Sequence, residues 1–215
     1  MNEGFPSGAP DWLKQGILNY SYASLTRQVE IARAMYERLD SEDPVAGEVF
    51  RSIARAADRI AANSGRNGTG CDDLFFSTFA GVNDIRHPSR QLRALGLSML
   101  GGGSRVIFRP ATGSRLDDAV ATQPNIAMSI SRGTFTFNPQ IPLNFPAAPG
   151  VWFGMSRGEV AEGLVIHEFL HFTGSVGQDF DFTDQGIVLK QVNVPSVGSV
   201  NGSDGVTQAV RSRCF

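Results

Sequence analysis

The sequence lacks both a long apolar run and an excess of charge of one sign. No stretch reaches the roughly 18 consecutive apolar residues that a membrane-spanning helix needs, so we expect no insertion into a membrane. The formal net charge of −2 comes from 19 basic and 21 acidic side chains mixed along the chain. Such a mixture creates no field that would attract nucleic acid. The 215 residues are 41% hydrophobic, which is enough for the core of a globular domain.

Cysteine is scarce. The two cysteines, Cys71 and Cys214, fit neither a CxxC redox pair nor a zinc knuckle. They could form one disulfide in an oxidising compartment, or remain two separate small apolar residues in the cytosol. The disulfide is favoured because Cys214 is the penultimate residue, where fraying is otherwise expected. Residues 1–10 have neither the basic start nor the apolar stretch of a signal peptide, so we expect the targeting signal of a secreted form to lie outside this chain.

The first 65 residues have the apolar spacing of helices. One run extends from Trp12 to Leu39 and a second from Pro44 to Ile60, and both repeat at a roughly helical period. We expect two helices that pack on each other. The turn-rich segment RNGTG follows. It predicts a boundary between an N-terminal helical segment at 1–65 and a domain at 71–215 that contains the candidate functional residues. The alternative is that the two form one continuous domain.

The composition changes after Cys71. The segments DDLFFSTF and HPSRQLRALGLSML are expected to be helical. Short β-rich runs bounded by Pro and Gly then predict a small sheet between about 104 and 138. The segment NPQIPLNFPAAPG carries four prolines and is expected to be a surface loop. The chain is thus predicted to be an α+β protein, mainly helical with a small mixed β-sheet.

A helix with a metal-binding pattern is predicted at about 157–174. The stretch SRGE at 156–159 has the form of a capping box, which marks its start. His167 and His171 lie four residues apart and project from one face, which lets two imidazoles reach one ion. Glu168 points to an adjacent face, where it can act as a general base on a water. The alternative is that the histidines are core or surface residues that happen to have this spacing.

The stretch HEFLH at 167–171 is similar to the HExxH element of the zincin metalloproteases. This resemblance implies a zincin-like fold and a catalytic Zn²⁺. Zincins with HExxHxxGxxH place a third histidine where this chain has Gly177, so that ligand is excluded. His87, the remaining histidine, precedes Pro88 at an expected helix start on the surface and is a weak ligand candidate.

The third ligand is expected to be an aspartate that follows the HExxH helix. The chain resembles the aspzincins, the deuterolysin-like proteases, in which an aspartate shortly after HExxH completes the zinc site. Their GTxxD motif is not reproduced, since this chain has GSVGQD and GQDFD. Gly174 and Gly177 allow turns that bring the chain back toward the metal, and Asp179 is the first carboxylate after them. Asp179 is therefore the preferred ligand, with Asp181 and then Asp184 as alternatives.

The stretch TQAVRSRC at 207–214 resembles the TQxVxxxC ending of uncharacterised bacterial domains. Those domains also carry HExxH, a nearby Asp and an earlier Cys, often at the end of RHS-type or surface proteins. The resemblance implies a Cys71–Cys214 bridge, Asp179 as ligand, and an extracytoplasmic or secreted setting as part of a longer protein. It also indicates a short terminal helix at 205–213. A cytoplasmic location is the alternative.

Together these residues predict a zinc metalloendopeptidase. His167, His171 and Asp179 would hold Zn²⁺, and Glu168 would take a proton from the water that attacks a peptide carbonyl. The expected partner is a protein or peptide substrate, which strand 133–137 would align at a sheet edge by backbone pairing. One alternative is a metal-stabilised binding or effector module without turnover. The other is a zinc amidase that acts on a non-peptide amide.

Overall fold

A computed structural model of the chain describes residues 11–42, 44–65, 69–75, 87–100, 108–110, 128–131, 134–137, 150–177, 180–183 and 186–215. These residues are mainly helical with small β-sheets, which confirms the α+β class. No helix in these ranges is long and apolar enough to cross a membrane.

The chain forms two compact units that interleave along the sequence. The first contains Met1–Arg55 and Leu92–Phe145, and the second contains Ala56–Gln91 and Pro146–Phe215. The boundary that the sequence suggested between 65 and 71 stays a prediction. Both histidines of the HExxH motif and both cysteines belong to the second unit.

The first unit begins with two helices that pack on each other, α1 (Asp11–Tyr22) and α2 (Leu25–Glu42). The apolar spacing predicted one helix here, and this prediction was wrong because the chain turns at residues 23–24. The side-chain Nε2 of Gln28 donates to the carbonyl oxygen of Tyr20 at 3.1 Å. This carbonyl lies in the last turn of α1, where helical donors run out.

Two further helices agree with the predictions. Helix α3 (Pro44–Ala62) ends close to the predicted stop, and α4 (Pro88–Leu100) covers the segment HPSRQLRALGLSML from its proline onward. Asp72–Phe75 forms a 3₁₀ helix, η1, at the start of the segment DDLFFSTF. The rest of that segment lies outside the described residues, as does the predicted loop at 138–150 except for Gly150.

Three short strands form a mixed sheet within the predicted interval. Strand β1 (Phe108–Pro110) pairs in parallel with β3 (Thr134–Phe137), and β2 (Met128–Ser131) pairs with β3 in antiparallel fashion. The order is therefore β1-β3-β2. The prediction that 133–137 offers a free edge to a substrate was wrong, because β3 already has a strand on each side.

The second unit is built around two helices that pack on each other. A 3₁₀ turn, η2 (Gly150–Trp152), precedes α5 (Arg157–Phe172), which carries the HExxH motif. The C-terminal helix α6 (Gly202–Cys214) contains the predicted helix at 205–213. The two helices bury apolar side chains, among them Val165, Ile166, Phe169 and Leu170 on α5 and Val206, Ala209 and Val210 on α6.

Two β-hairpins that the sequence analysis did not predict connect α5 to α6. Strand β4 (Phe180–Thr183) pairs with β5 (Gly186–Leu189), and β6 (Gln191–Val194) pairs with β7 (Gly198–Asn201), both in antiparallel fashion. Strand β6 alternates exposed and buried residues and contacts α6. The second hairpin therefore packs one face on the helix that follows it.

Candidate metal centre

Helix α5 begins at the predicted capping box. The Ser156 hydroxyl accepts a hydrogen bond from the backbone N–H of Glu159 at 3.4 Å, and the Glu159 carboxylate accepts one from the backbone N–H of Ser156 at 2.8 Å. The backbone and side-chain hydrogen bonds from Ser156 hold the pKa of Glu159 below its ordinary value, and the charge of Arg59 adds to this effect. These bonds satisfy amide groups that a helix start leaves without partners. They fix the residue at which α5 begins.

Two contacts hold the first half of α5 in place. Nε and Nη2 of Arg59 donate to the same carboxylate oxygen of Glu162, at 3.0 and 2.9 Å, and Glu162 is buried. One residue further on, Gly163 faces Trp152, and a Cβ at this position would lie 2.5 Å from the indole ring. The helix therefore approaches η2 as closely as its backbone allows, which helps to set the positions of His167 and His171, about one and two turns later.

The structure brings His167 and His171 together. Their Nε2 atoms lie 3.1 Å apart. In a tetrahedral zinc site with Zn–N bonds of about 2.0–2.1 Å, two ligating nitrogens lie about 3.3 Å apart. The observed separation therefore fits two imidazoles that share one zinc ion, and imidazole is a preferred ligand of zinc. It is also the length of a hydrogen bond between two rings, so the distance permits a metal site without requiring one.

The side chains of the motif differ in exposure. His167 is only 4% exposed, whereas Glu168 and His171 are half-buried. Solvent therefore reaches the pair from the side of Glu168 and His171. This asymmetry suits a reacting site, because a general base must contact both a water and a substrate.

Thr207 of α6 contacts this site, which the sequence did not predict. Its Oγ1 lies 3.1 Å from Nδ1 of His167, and both residues are buried. The stretch TQAVRSRC contains the relevant spacing, since Thr207, Val210 and Cys214 are three and four residues apart and share one helix face. All three are buried. The sequence marked this segment only through its resemblance to other domains. That resemblance does not reveal that the segment contacts the helix that carries His167.

Helix α5 ends in a turn at Gly174. Gly174 adopts a left-handed conformation with φ of 70°, as predicted. The backbone N–H groups of Ser175 and Val176 both donate to the carbonyl oxygen of Leu170, at 3.0 and 3.3 Å. The predicted turn at the end of the HExxH helix is thus present.

The position of the third ligand stays a prediction. Asp179 and Asp184 lie outside the described residues. Asp181 lies in β4 opposite Val188, and the placement of its side chain is likewise outside the description. Across the part of the chain whose side chains are placed, no group of three or more His, Cys, Asp or Glu could hold a metal ion. His87 is exposed, in agreement with a surface position before α4.

A disulfide fixes the end of α6, and this prediction is confirmed. Cys71 and Cys214 are joined with an S–S distance of 2.06 Å. Asn63 supports the bridge on both sides, because its side chain donates to the carbonyl oxygen of Cys214 and its own carbonyl accepts from the backbone N–H of Cys71. The C-terminal helix is therefore held at its last residue as well as by its buried face.

An open cleft of about 570 Å³ lies beside the first turn of α5. Glu159 in its wall precedes His167 by eight residues, or about 12 Å along the helix. Arg211 in the cleft donates to the backbone carbonyls of Val151 and Phe153. The cleft contains none of the HExxH side chains, and its walls are formed by Val151, Gly154, Met155, Glu159, Gln208, Arg211, Ser212 and Phe215.

Comparisons with models of known protein families, with curated proteins and with solved structures find no match to this chain. The assignment of a function therefore depends on the residues of the site and on their geometry.

Proposed function

We propose that the chain is a zinc-dependent metallopeptidase of the HExxH type. The observation that carries this proposal is the 3.1 Å separation of the Nε2 atoms of His167 and His171 on α5. His167, His171 and Asp179 would hold the ion, with Asp181 as the alternative to Asp179. Three protein ligands are typical of catalytic zinc sites, whereas structural sites usually have four.

Glu168 is the general base in this proposal. Zinc, when bound, supplies a Lewis acid and lowers the pKa of water toward about 7. Glu168 accepts the proton of the attacking water and passes it to the leaving amine. Because adjacent residues of a helix differ by about 100° in direction, Glu168 points past the ion rather than at it. Its half-buried position supports this role, since the carboxylate keeps contact with solvent.

The resemblance to the aspzincins supports a peptide substrate and an aspartate ligand. The HExxH pattern does not distinguish a peptide bond from another amide, so a zinc amidase is the alternative that a substrate test must separate. The proposed setting is extracytoplasmic, as part of a longer protein. The Cys71–Cys214 disulfide supports this setting because disulfides persist in oxidising compartments.

The metal content of purified protein tests the ligand assignment. We expect one zinc per chain in the wild type and loss of zinc in His167→Ala, in His171→Ala and in Asp179→Ala. His87→Ala is the matched control, because this exposed histidine lies outside the site and its removal should leave the zinc content unchanged. Retention of zinc by Asp179→Ala together with its loss in Asp181→Ala would show that the ligand choice is wrong.

A digest of a broad peptide library tests the reaction. Wild type should cleave peptides, and Glu168→Gln should retain zinc but not cleave. If the wild type cleaves no peptide but releases the amine from a non-peptide amide in a Glu168-dependent manner, the chain is an amidase. A Glu168→Gln protein that keeps its full biological effect would instead identify a binding or effector module without turnover.

A further inference from the structure

We infer that Thr207 is a positioning residue for His167, so that the C-terminal helix forms part of the metal centre. This inference rests on the proposed function, because it assigns a role toward the same metal. Its basis is the 3.1 Å contact between Thr207 Oγ1 and His167 Nδ1. His167 is 4% exposed and Thr207 is 6% exposed, so the contact is shielded from water.

Metal binding through Nε2 requires one form of the imidazole, and the Thr207 hydroxyl can hydrogen-bond to that form. A neutral histidine carries a proton on only one of its two ring nitrogens, and the partner of one nitrogen decides the state of the other. When Thr207 Oγ1 accepts from Nδ1–H, Nε2 of His167 presents its lone pair. That nitrogen is the one that faces His171 Nε2 at 3.1 Å. When a metal occupies Nε2, the proton of His167 must lie on Nδ1, and Thr207 Oγ1 is the group placed to accept it.

The contact also fixes the orientation of the ring. A histidine on a helix can rotate about two side-chain bonds, and a hydrogen bond to its Nδ1 restricts both. Thr207 is itself held firmly, because Val206 and Val210 on α6 are fully buried and Cys214 is bonded to Cys71. The Thr207 hydroxyl therefore lies on a second helix, α6, which is held in position by the disulfide as well as by its packing on α5.

Zinc affinity of the purified protein tests this role independently of turnover. The variants are Thr207→Val, which keeps the shape of the side chain but removes the hydroxyl, and Thr207→Ser, which keeps the hydroxyl. We expect Thr207→Val to bind zinc about 10- to 100-fold more weakly, as is usual when a partner of a ligating histidine is lost. Thr207→Ser should restore affinity to within about threefold of wild type. Competition with a chromophoric chelator measures both.

Ser212→Ala is the matched control. Its hydroxyl lies on the same helix and donates to the carbonyl oxygen of Ala209, so its loss removes a hydroxyl from α6 without touching His167. We expect its zinc affinity to be unchanged. Equal zinc affinity of Thr207→Val and wild type would overturn the inference and leave Thr207 as a packing residue. A wild type that binds no zinc would instead overturn the proposed function, and the inference would fall with it.

A spectroscopic measurement on the wild type keeps the test independent of how the variants fold. Long-range ¹H–¹⁵N NMR spectra of the zinc-loaded protein distinguish the protonated from the metal-bound nitrogen of each histidine. We expect Nδ1 of His167 to carry the proton and Nε2 to carry the metal. A His167 that binds zinc through Nδ1 would contradict the role of Thr207.

Discussion

Helices α5 and α6 pack on each other but contribute to the candidate site in different ways. Helix α5 supplies His167, Glu168 and His171 from little more than one turn, so their mutual arrangement follows from helix geometry. Helix α6 supplies Thr207, which is 40 residues from its partner His167 in sequence. The candidate reactive groups are thus arranged locally, whereas the orientation of one candidate ligand depends on tertiary packing.

The largest effect is expected from the reactive group of α5. Glu168→Gln should lower kcat by about 10²- to 10⁴-fold, because it removes the general base. Zinc content should stay at the wild-type level, since Glu168 is not a ligand in this account. Steady-state kinetics together with elemental analysis measure the two quantities. An equal loss of zinc and of activity would show that Glu168 is a metal ligand and would contradict its assignment as the general base.

Removal of the disulfide tests how far this bond holds α6 in position. The double variant Cys71→Ser with Cys214→Ser should lower the free energy of unfolding by about 2–5 kcal/mol, because the cross-link restrains the unfolded chain. Urea denaturation measures this loss. Zinc affinity should fall as well, since Thr207 lies on the released helix. A reducing agent should destabilise the wild type but not the double variant, and an unchanged zinc affinity would show that α6 holds its place without the bridge.

Two glycines of α5 test how closely this helix is packed. Gly163→Ala should destabilise the protein by about 1–3 kcal/mol, because the new methyl group overlaps Trp152. Gly158→Ala is the matched control on the same helix, with open space around it. It should stabilise the protein by up to about 1 kcal/mol through helix propensity. Thermal unfolding distinguishes the two, and a stabilising Gly163→Ala would show that η2 does not fix α5.

The smallest effect is expected at the start of α5. Ser156→Ala should cost about 1 kcal/mol, because it removes the hydroxyl of the capping box. Part of the difference in stability between wild type and Ser156→Ala should depend on pH. The folded state lowers the pKa of Glu159 below its ordinary value of 4.5. The ionised carboxylate therefore stabilises the folded state above that value, and this stabilisation is lost as the pH falls through the lowered pKa. Melting temperatures of both proteins across acidic pH measure this, and a gap that widens on acidification would contradict it.

The sequence predicts those parts of the fold that depend on neighbouring residues. The capping box at Ser156 and the left-handed Gly174 were both predictable, because each is defined within a few residues. The separation between α1 and α2 was not, since the apolar spacing continues across residues 23–24 while the break is supported by the side chain of Gln28.

The parts that were missed depend on contacts distant in sequence. The hairpin of β6 and β7 has a usable signal, the alternation of Val192 and Val194 with polar residues before a proline, but four residues are short for such an inference. The order of the strands around β3 is not encoded locally at all. In the candidate site, the histidine pair follows from its spacing, whereas the contact of His167 with Thr207 requires that two helices already be packed.

The most direct test of the central claim is a crystal structure of the zinc-soaked protein with anomalous scattering recorded at the zinc edge. We expect one anomalous peak about 2.0–2.1 Å from Nε2 of both His167 and His171, with a carboxylate oxygen of Asp179 as the third protein ligand. A map with no peak between the two rings, or with a peak that only one of them reaches, would contradict it.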